Sequence, residues 1–222
     1  MARKLLLTSS GLTNQRVINA FLKLLQKAPE ECSVAFIPTA GNSPADQQHV
    51  QNRLAELRAL GMKTIKIIDL EGMNEEDVRD QLQECDVVYV NGGNTFRLLY
   101  WAQQSGFHHL IPELISRGVI YVGVSAGSYL ACPTIEAAGW KNGDANSEQL
   151  IDLSALNFVP FLVTAHYDES EALLVSESAS RITIPIVALR DGQAIQVVDE
   201  QVTFIGEGEP VAFNGFAEQY LL

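Results

Sequence analysis

The feature that most constrains the fold is an alternation, over the first 124 residues, of short apolar segments with longer segments of helical periodicity. Apolar segments of this kind are typical of strands in a parallel sheet that helices cover on both faces. Such sheets bind their ligands beyond the carboxyl ends of the strands. The pattern therefore predicts an α/β fold with a mostly parallel sheet. The predicted strands are 4–8, 33–38, 64–70, 86–90 and 119–124, and the predicted helices are 14–26, 45–60, 74–83, 95–104 and 110–117.

The second half of the chain has a different character. Residues 136–157 are polar and contain several glycines, and we expect an irregular excursion near the functional site. A strand is predicted over 160–165, followed by an acidic, serine-rich segment over 167–180. Three further strands with short turns predict a terminal β-meander, at 186–189, 194–198 and 202–205. Because no repeat or linker interrupts the pattern, residues 1–222 are expected to form one domain.

Composition limits the partners of this chain. Acidic side chains number 27 and basic ones 15, which gives a formal net charge of -12. Nucleic-acid binding requires a cationic surface, so no nucleic-acid partner is expected. The cysteines Cys32, Cys85 and Cys132 form no metal-binding pattern, and no segment is long enough to span a membrane or to act as a signal peptide. We therefore expect a cytoplasmic protein with no metal and no membrane partner, whose oligomeric state stays open, a homo-oligomer included.

A candidate nucleophile lies at the end of the fifth predicted strand. Residues 123–127 read Gly-Val-Ser-Ala-Gly, which matches the G-x-S-x-G nucleophile elbow. In this motif a strand turns sharply into a helix and exposes the serine, here Ser125, while the amide of the next residue, Ala126, can bind an oxyanion. The alternative is an ordinary strand-to-helix turn with a serine cap.

A second glycine turn, Asn-Gly-Gly-Asn at 91–94, ends the preceding strand. Consecutive glycines let backbone amides approach a ligand closely, so Gly93 is a candidate second oxyanion donor. The next residues, Asn94 and Thr95, are candidate substrate-binding residues. The alternative is an ordinary turn, and the spacing does not fit a dinucleotide-binding fingerprint.

The candidate base is a histidine at a strand end. A serine nucleophile needs a neighbouring base, and His166 follows a predicted strand at the edge where ligands bind. The other histidines, His49, His108 and His109, lie in or beside predicted helices. Spacing alone leaves the acid of a triad undecided among Asp191, Asp168, Glu136 and Asp144.

These residues resemble the peptidase E family, also called aspartyl dipeptidases. The resemblance implies a flavodoxin-like fold of the class I glutamine amidotransferase type, in which the elbow usually carries cysteine. It also implies Ser125 as nucleophile, His166 as base and a small peptide as substrate. The matching segments occur in the family's order and cover most of the chain: 91–96, 123–128, 131–135, 152–158 and the strand that ends at His166.

The resemblance also bears on the acid and on specificity. The family places an acid, commonly glutamate, in a segment resembling 189–192, where this chain has Asp191. An acid considered in the family shortly after 131–135 has no counterpart here at 138–140, which favours Asp191.

Aspartyl dipeptidases carry a basic insertion after the histidine, with an arginine that binds the substrate's aspartate. Here 167–172 is short and acidic and the nearest arginine is Arg181, so Asp-X specificity is not implied.

The reaction expected from these residues is acyl transfer without metal or organic cofactor. Ser125 would attack a carbonyl, His166 would move the proton, and Asp191 would orient the imidazole. Two alternatives remain: a serine hydrolase acting on another amide or ester, as cyanophycinase relatives do, and a non-catalytic binding protein on the same scaffold.

Overall fold

The computed structural model describes residues 1–41, 44–141 and 143–221, which form strands β1 to β10 and helices α1 to α8. The strands are β1 (Lys4–Thr8), β2 (Ser33–Ile37), β3 (Thr64–Ile67), β4 (Val87–Val90), β5 (Ile120–Val124), β6 (Leu162–Thr164), β7 (Ile186–Ala188), β8 (Ala194–Val198), β9 (Gln201–Ile205) and β10 (Val211–Phe213). The helices are α1 (Gln15–Leu24), α2 (Pro44–Ala59), α3 (Glu75–Leu82), α4 (Thr95–Gln104), α5 (Phe107–Ser116), α6 (Ala126–Leu130), α7 (Ala172–Ala179) and α8 (Phe216–Tyr220). Each helix and strand predicted in the first half is present, with ends shifted by a few residues.

The main sheet has seven strands in the order β3-β2-β4-β5-β1-β8-β9. Its first five strands are parallel, and β8 and β9 join antiparallel to β1 and to each other. Leu7 pairs with Gly123 and Thr8 with Val124, so β1 and β5 end at the same level. The predicted α/β architecture with a mostly parallel sheet is confirmed.

Strand β1 shows how alternate side chains build the two faces. Leu5 and Leu7 pack with apolar residues of α3 to α6, whereas Leu6 packs with residues of α1 and α2 on the other face. All three leucines are fully buried, and burying such a side chain contributes about 1.5–3 kcal/mol. The uniformly apolar strands in the sequence therefore follow from helices covering both faces.

The predicted terminal meander holds only for its last two strands. Strands β8 and β9 form an antiparallel hairpin, but β7 lies in a second sheet of order β10-β7-β6. There β7 pairs parallel with β6 and antiparallel with β10. The prediction of a hairpin turn between β7 and β8 is therefore wrong. The short segment between these strands passes from the small sheet to the main sheet, which a connection of that length also allows. In doing so it brings Asp191 to the carboxyl edge of the main sheet.

Among the described residues, no helix has both the length and the apolar character needed to cross a lipid bilayer.

Candidate active site

A cavity of about 540 Å³ lies beyond the carboxyl ends of β1, β4 and β5. Its lining includes Ser125, His166 and Asp191, together with the glycine turn Gly92–Gly93. This is the position at which parallel sheets bind ligands, and a volume of this size suits a small molecule.

The backbone at Ser125 adopts a strained conformation. Its φ of 47° and ψ of -104° are unfavourable for a residue with a side chain. The Ser125 N–H donates to the carbonyl of Thr8 at 3.0 Å, which fixes the turn between β5 and α6. The hydroxyl of Ser128 donates to the carbonyls of Thr8 and Gly123, at 2.8 and 2.9 Å. Strain of this kind, held by surrounding contacts, is typical of functional positions.

Both glycines of the elbow are required by close backbone packing. A Cβ at Gly123 would lie 2.6 Å from the carbonyl of Gly127, and one at Gly127 would lie 2.3 Å from the carbonyl oxygen of Val90. These distances are far below van der Waals contact, so the turn can form only with glycine at both positions. The G-x-S-x-G pattern therefore has a direct steric cause.

We expect Gly127→Ala to destabilise the fold by about 3 kcal/mol or more, because its methyl group must displace the β4 backbone. Gly139→Ala is the matched control, since a Cβ there would meet only Phe96 at 3.7 Å. Urea unfolding of the two variants measures the difference. Equal free energies of unfolding would contradict the steric role of Gly127.

The structure brings Ser125, His166 and Asp191 into one hydrogen-bonded series. His166 Nε2 lies 3.0 Å from Ser125 Oγ, and His166 Nδ1 lies 2.7 Å from Asp191 Oδ1. The imidazole is 51% and the carboxylate 66% exposed, so the series opens to the cavity. A carboxylate on Nδ1 favours the tautomer in which Nδ1 carries the proton and Nε2 accepts one.

Ser9 links the Asp191 carboxylate to the backbone of His166, and the sequence analysis did not single it out. Its fully buried hydroxyl donates to Asp191 Oδ1 at 2.9 Å and accepts from the backbone N–H of His166 at 2.8 Å. The sequence feature that could have identified Ser9 is its position directly after β1, at the edge of the sheet where ligands are expected.

Asp191 is held in its charged form. The hydrogen bond from His166 lowers the pKa of Asp191 below its usual value and outweighs the opposing effect of partial burial. Coulombic attraction to the imidazole of His166 when it is protonated, the hydroxyl of Ser9 and the ammonium of Lys141 lower this pKa further. A carboxylate that stays ionised near neutral pH is what an imidazolium partner requires.

The other candidate acids lie elsewhere. Asp168 accepts hydrogen bonds from the N–H and hydroxyl of Ser170, at 2.9 and 2.6 Å, and these bonds lower its pKa. Asp144 accepts from the N–H of Thr95 at 2.6 Å. Glu136 begins a short 3-10 turn. None of these three acids lies in the hydrogen-bonded series with Ser125 and His166, whereas Asp191 does.

Of the remaining histidines, only His49 borders the cavity among the described residues. His108 Nδ1 lies 3.1 Å from the carbonyl of Ala102, and His109 lies 3.6 Å from Glu75.

The candidate oxyanion donors belong to two segments that lie beside the serine. Gly93 has a φ of 140°, and a Cβ there would lie 2.3 Å from the carbonyl oxygen of Ala40, so only glycine fits. A Cβ on the adjacent Gly92 would lie 3.3 Å from Ser125 Cβ, which places this turn directly against the nucleophile. Ala126 begins α6 immediately after Ser125. Both segments therefore adjoin Ser125, and their role in binding an oxyanion stays a prediction.

Asn94 and Thr95 are not in the cavity lining, and their role in substrate binding stays a prediction. The Asn94 side chain caps α4 by accepting from the N–H of Arg97, and it donates to the carbonyl of Ala145, each at 2.9 Å. Thr95 is fully buried. The physical reason is that the chain turns into a helix at this point, so the side chains cap and pack the helix instead of lining the cavity.

The cavity has a cation that the sequence analysis missed. Arg53 of α2 lines it, with its guanidinium held by the carbonyl of Ser10 and by Glu56, the latter at 3.0 Å. Its side chain is 15% exposed. Arg181, the arginine considered from the sequence, follows α7 and is not part of the lining. Among the described residues, no group of three or more acidic, histidine or cysteine side chains could hold a metal ion.

Comparison with known proteins identifies the family to which the chain is similar. The family model for peptidase family S51 matches residues 5–205. The chain is 31% identical over 174 residues to an uncharacterized peptidase of Pasteurella multocida, covering 76% of this chain and 82% of the relative. It is 27% identical over 233 residues to Peptidase E of Shewanella amazonensis, covering 98% and 93%.

A solved structure shows the same fold. A candidate peptidase E protein from Listeria monocytogenes EGD-e superposes with a TM-score of 0.78 at 26% identity, over 94% of this chain and all of that one. The family match, the relatives and the shared fold lead to one conclusion: the chain belongs to peptidase family S51 and is a serine peptidase of the peptidase E type.

Proposed function

We propose that this enzyme hydrolyses small peptides through an acyl-enzyme formed on Ser125. The observation that carries the proposal is the hydrogen-bonded series of Ser125, His166 and Asp191, with contacts of 3.0 and 2.7 Å, at the wall of a cavity. A nucleophile, a base and an orienting carboxylate in this arrangement are the parts that acyl transfer requires.

The first half of the reaction forms the acyl-enzyme. His166 Nε2 takes the proton of Ser125 Oγ as the oxygen attacks the scissile carbonyl carbon. Asp191 accepts from Nδ1–H and stabilises the imidazolium that results. His166 then donates its proton to the leaving amine, and the carbon–nitrogen bond breaks.

The second half releases the acid product. A water molecule attacks the acyl-enzyme while His166 Nε2 accepts its proton. His166 then gives that proton to Ser125 Oγ as the ester bond breaks, which frees the acid and restores the enzyme. In both halves the negative charge on the carbonyl oxygen would be stabilised by the amides of Gly93 and Ala126. One such donor is typically worth about 2.7–4 kcal/mol in the transition state.

The charges around the cavity fit a small peptide with free ends. Asp46 and Arg53 of α2 both line it, so one helix contributes an acidic and a basic side chain to the cavity wall. A short peptide carries an ammonium at one end and a carboxylate at the other. This complementarity favours small zwitterionic peptides over long chains.

Hydrolysis of a dipeptide panel tests the proposal. We expect cleavage of neutral dipeptides as well as Asp-X dipeptides, because the segment after His166 is acidic and offers no cation to an aspartate side chain. A fluorophosphonate probe is expected to label the wild-type enzyme and to leave Ser125→Ala unlabelled.

The panel separates the alternatives. Cleavage confined to Asp-X would contradict the broad specificity and direct attention to Arg53. Cleavage of β-aspartyl peptides or simple esters, with dipeptides untouched, would keep the serine hydrolase and change its substrate. A protein that neither cleaves nor labels would be a binding protein on this scaffold.

A further inference from the structure

The backbone that carries His166 lies outside the regular ladder of β6. His166 has a φ of 55°, in the left-handed region that is unfavourable for a residue with a side chain. Such a conformation persists only where neighbouring groups hold it. The direction of the imidazole depends on this turn, so the groups that hold the turn also place the base.

Two side chains hold the amides of the turn. The N–H of Ala165 donates to the hydroxyl of Tyr129 at 2.9 Å, and the N–H of His166 donates to the hydroxyl of Ser9 at 2.8 Å. Both hydroxyls are on elements beside the elbow, at the end of β1 and within α6.

A single side chain holds both carbonyls. Lys141 Nζ donates to the carbonyl of Ala165 at 2.6 Å and to the carbonyl of His166 at 2.9 Å. The Lys141 side chain is only 12% exposed, and its ammonium also lies 3.2 Å from a carboxylate oxygen of Glu171. Hydrogen bonds from a charged donor that is largely shielded from water are stronger than neutral ones.

Lys141 comes from a distant part of the chain. It follows the short 3-10 turn Glu136–Gly139, within the irregular excursion predicted from the sequence, and lies 24 and 25 residues before its two carbonyl partners. The excursion is therefore joined to the candidate base through this lysine.

We propose that Lys141 is a positioning residue. Its ammonium fixes the two carbonyls that flank the His166 α-carbon, those of Ala165 and His166, and so orients the imidazole toward Ser125. The inference rests on the proposed function of the Ser125–His166–Asp191 series. Without the ammonium, the two carbonyls lose this donor, and the turn is expected to relax toward a right-handed or extended conformation. Displacement of a catalytic group by about 1 Å can lower the rate about 100-fold.

Lys141→Met tests the proposal, because methionine keeps the length of the side chain and removes its charge. We expect kcat to fall about 10- to 100-fold with little change in KM, since Lys141 is not among the residues that line the cavity. Lys141→Arg, which keeps two or more donors, is expected to recover most of kcat. Lys63→Met, at an exposed lysine, is expected to match the wild type.

A spectroscopic readout distinguishes positioning from general stability. The proton on His166 Nδ1, shared with Asp191, should give a downfield proton NMR signal that Lys141→Met broadens or shifts and Lys141→Arg retains. All rates are measured below the onset of thermal unfolding of each variant.

Two results would overturn the proposal. One is a wild-type kcat and an unchanged downfield signal in Lys141→Met; the other is equal loss of kcat in Lys141→Met and Lys141→Arg, in proportion to a loss of folded protein. Wild type and Ser125→Ala are assayed in parallel. Equal turnover by these two would refute the proposed function itself, whereas serine-dependent turnover with an unaffected Lys141→Met would refute only the role of Lys141.

Discussion

Replacing Ser125 with alanine is expected to lower kcat by about 10⁶-fold, the loss found when a serine nucleophile is removed from an established triad. His166 lies 3.0 Å from Ser125 Oγ, and an alanine leaves that imidazole without an attacking group to activate. Substrate binding and the oxyanion donors remain, so KM should change little. Steady-state hydrolysis of the best dipeptide substrate measures the effect.

The matched control for this variant is Ser170→Ala. The Ser170 hydroxyl is exposed and donates to Asp168 at 2.6 Å, away from the cavity. Its loss should leave kcat within about twofold of the wild type, as for most surface substitutions. Ser125→Ala is expected to stay folded, with a free energy of unfolding within about 1 kcal/mol of the wild type. Undiminished turnover in a pure, folded sample would remove Ser125 from the mechanism.

The second large effect is expected for Asp191→Asn, which should lower kcat by about 10⁴-fold. An asparagine at this position can donate its amide N–H to His166 Nδ1, which would move the imidazole proton to Nε2. The base could then no longer accept the proton of Ser125. Asp191→Asn also removes the negative charge that stabilises the imidazolium during the reaction.

Asp168→Asn is the control for this prediction. Its carboxylate accepts hydrogen bonds from the N–H and the hydroxyl of Ser170, and it is two residues from His166 in sequence. We expect less than about a twofold change in kcat, which is the usual range for an exposed site. If Asp168→Asn proved the more damaging variant, the orienting role would belong to Asp168.

Local chemistry allowed Ser125 and His166 to be singled out before the structure. The glycines at 123 and 127 reflect contacts with the neighbouring turn and with β4 that any elbow of this kind must make. His166 was selected because a strand end in a parallel sheet lies at the ligand edge. Both signals arise from the conformational preferences of a few consecutive residues, so a single sequence can carry them.

Spacing alone left the acid open and the family resemblance favoured Asp191, and the tertiary structure shows how that residue reaches the histidine. Asp168 is close to His166 in sequence, but its carboxylate accepts from Ser170, whereas His166 Nδ1 lies 2.7 Å from Asp191 Oδ1. Asp191 reaches Nδ1 because the segment between β7 and β8 passes from the small sheet to the main one. The sequence pattern of that segment resembled a hairpin and did not predict the passage.

The sequence by itself determined the α/β alternation, the elbow and the strand end that carries the base, because periodicity and turn sterics act over short stretches of chain. Only the tertiary structure decided which groups surround them. Ser9 contacts Asp191, which is 182 residues later in the sequence, and Lys141 contacts the carbonyl of His166, 25 residues later. The Asn94 side chain caps α4, and Thr95 is buried at the start of that helix. Contacts over such separations depend on how whole layers pack, and no local preference of the chain specifies them.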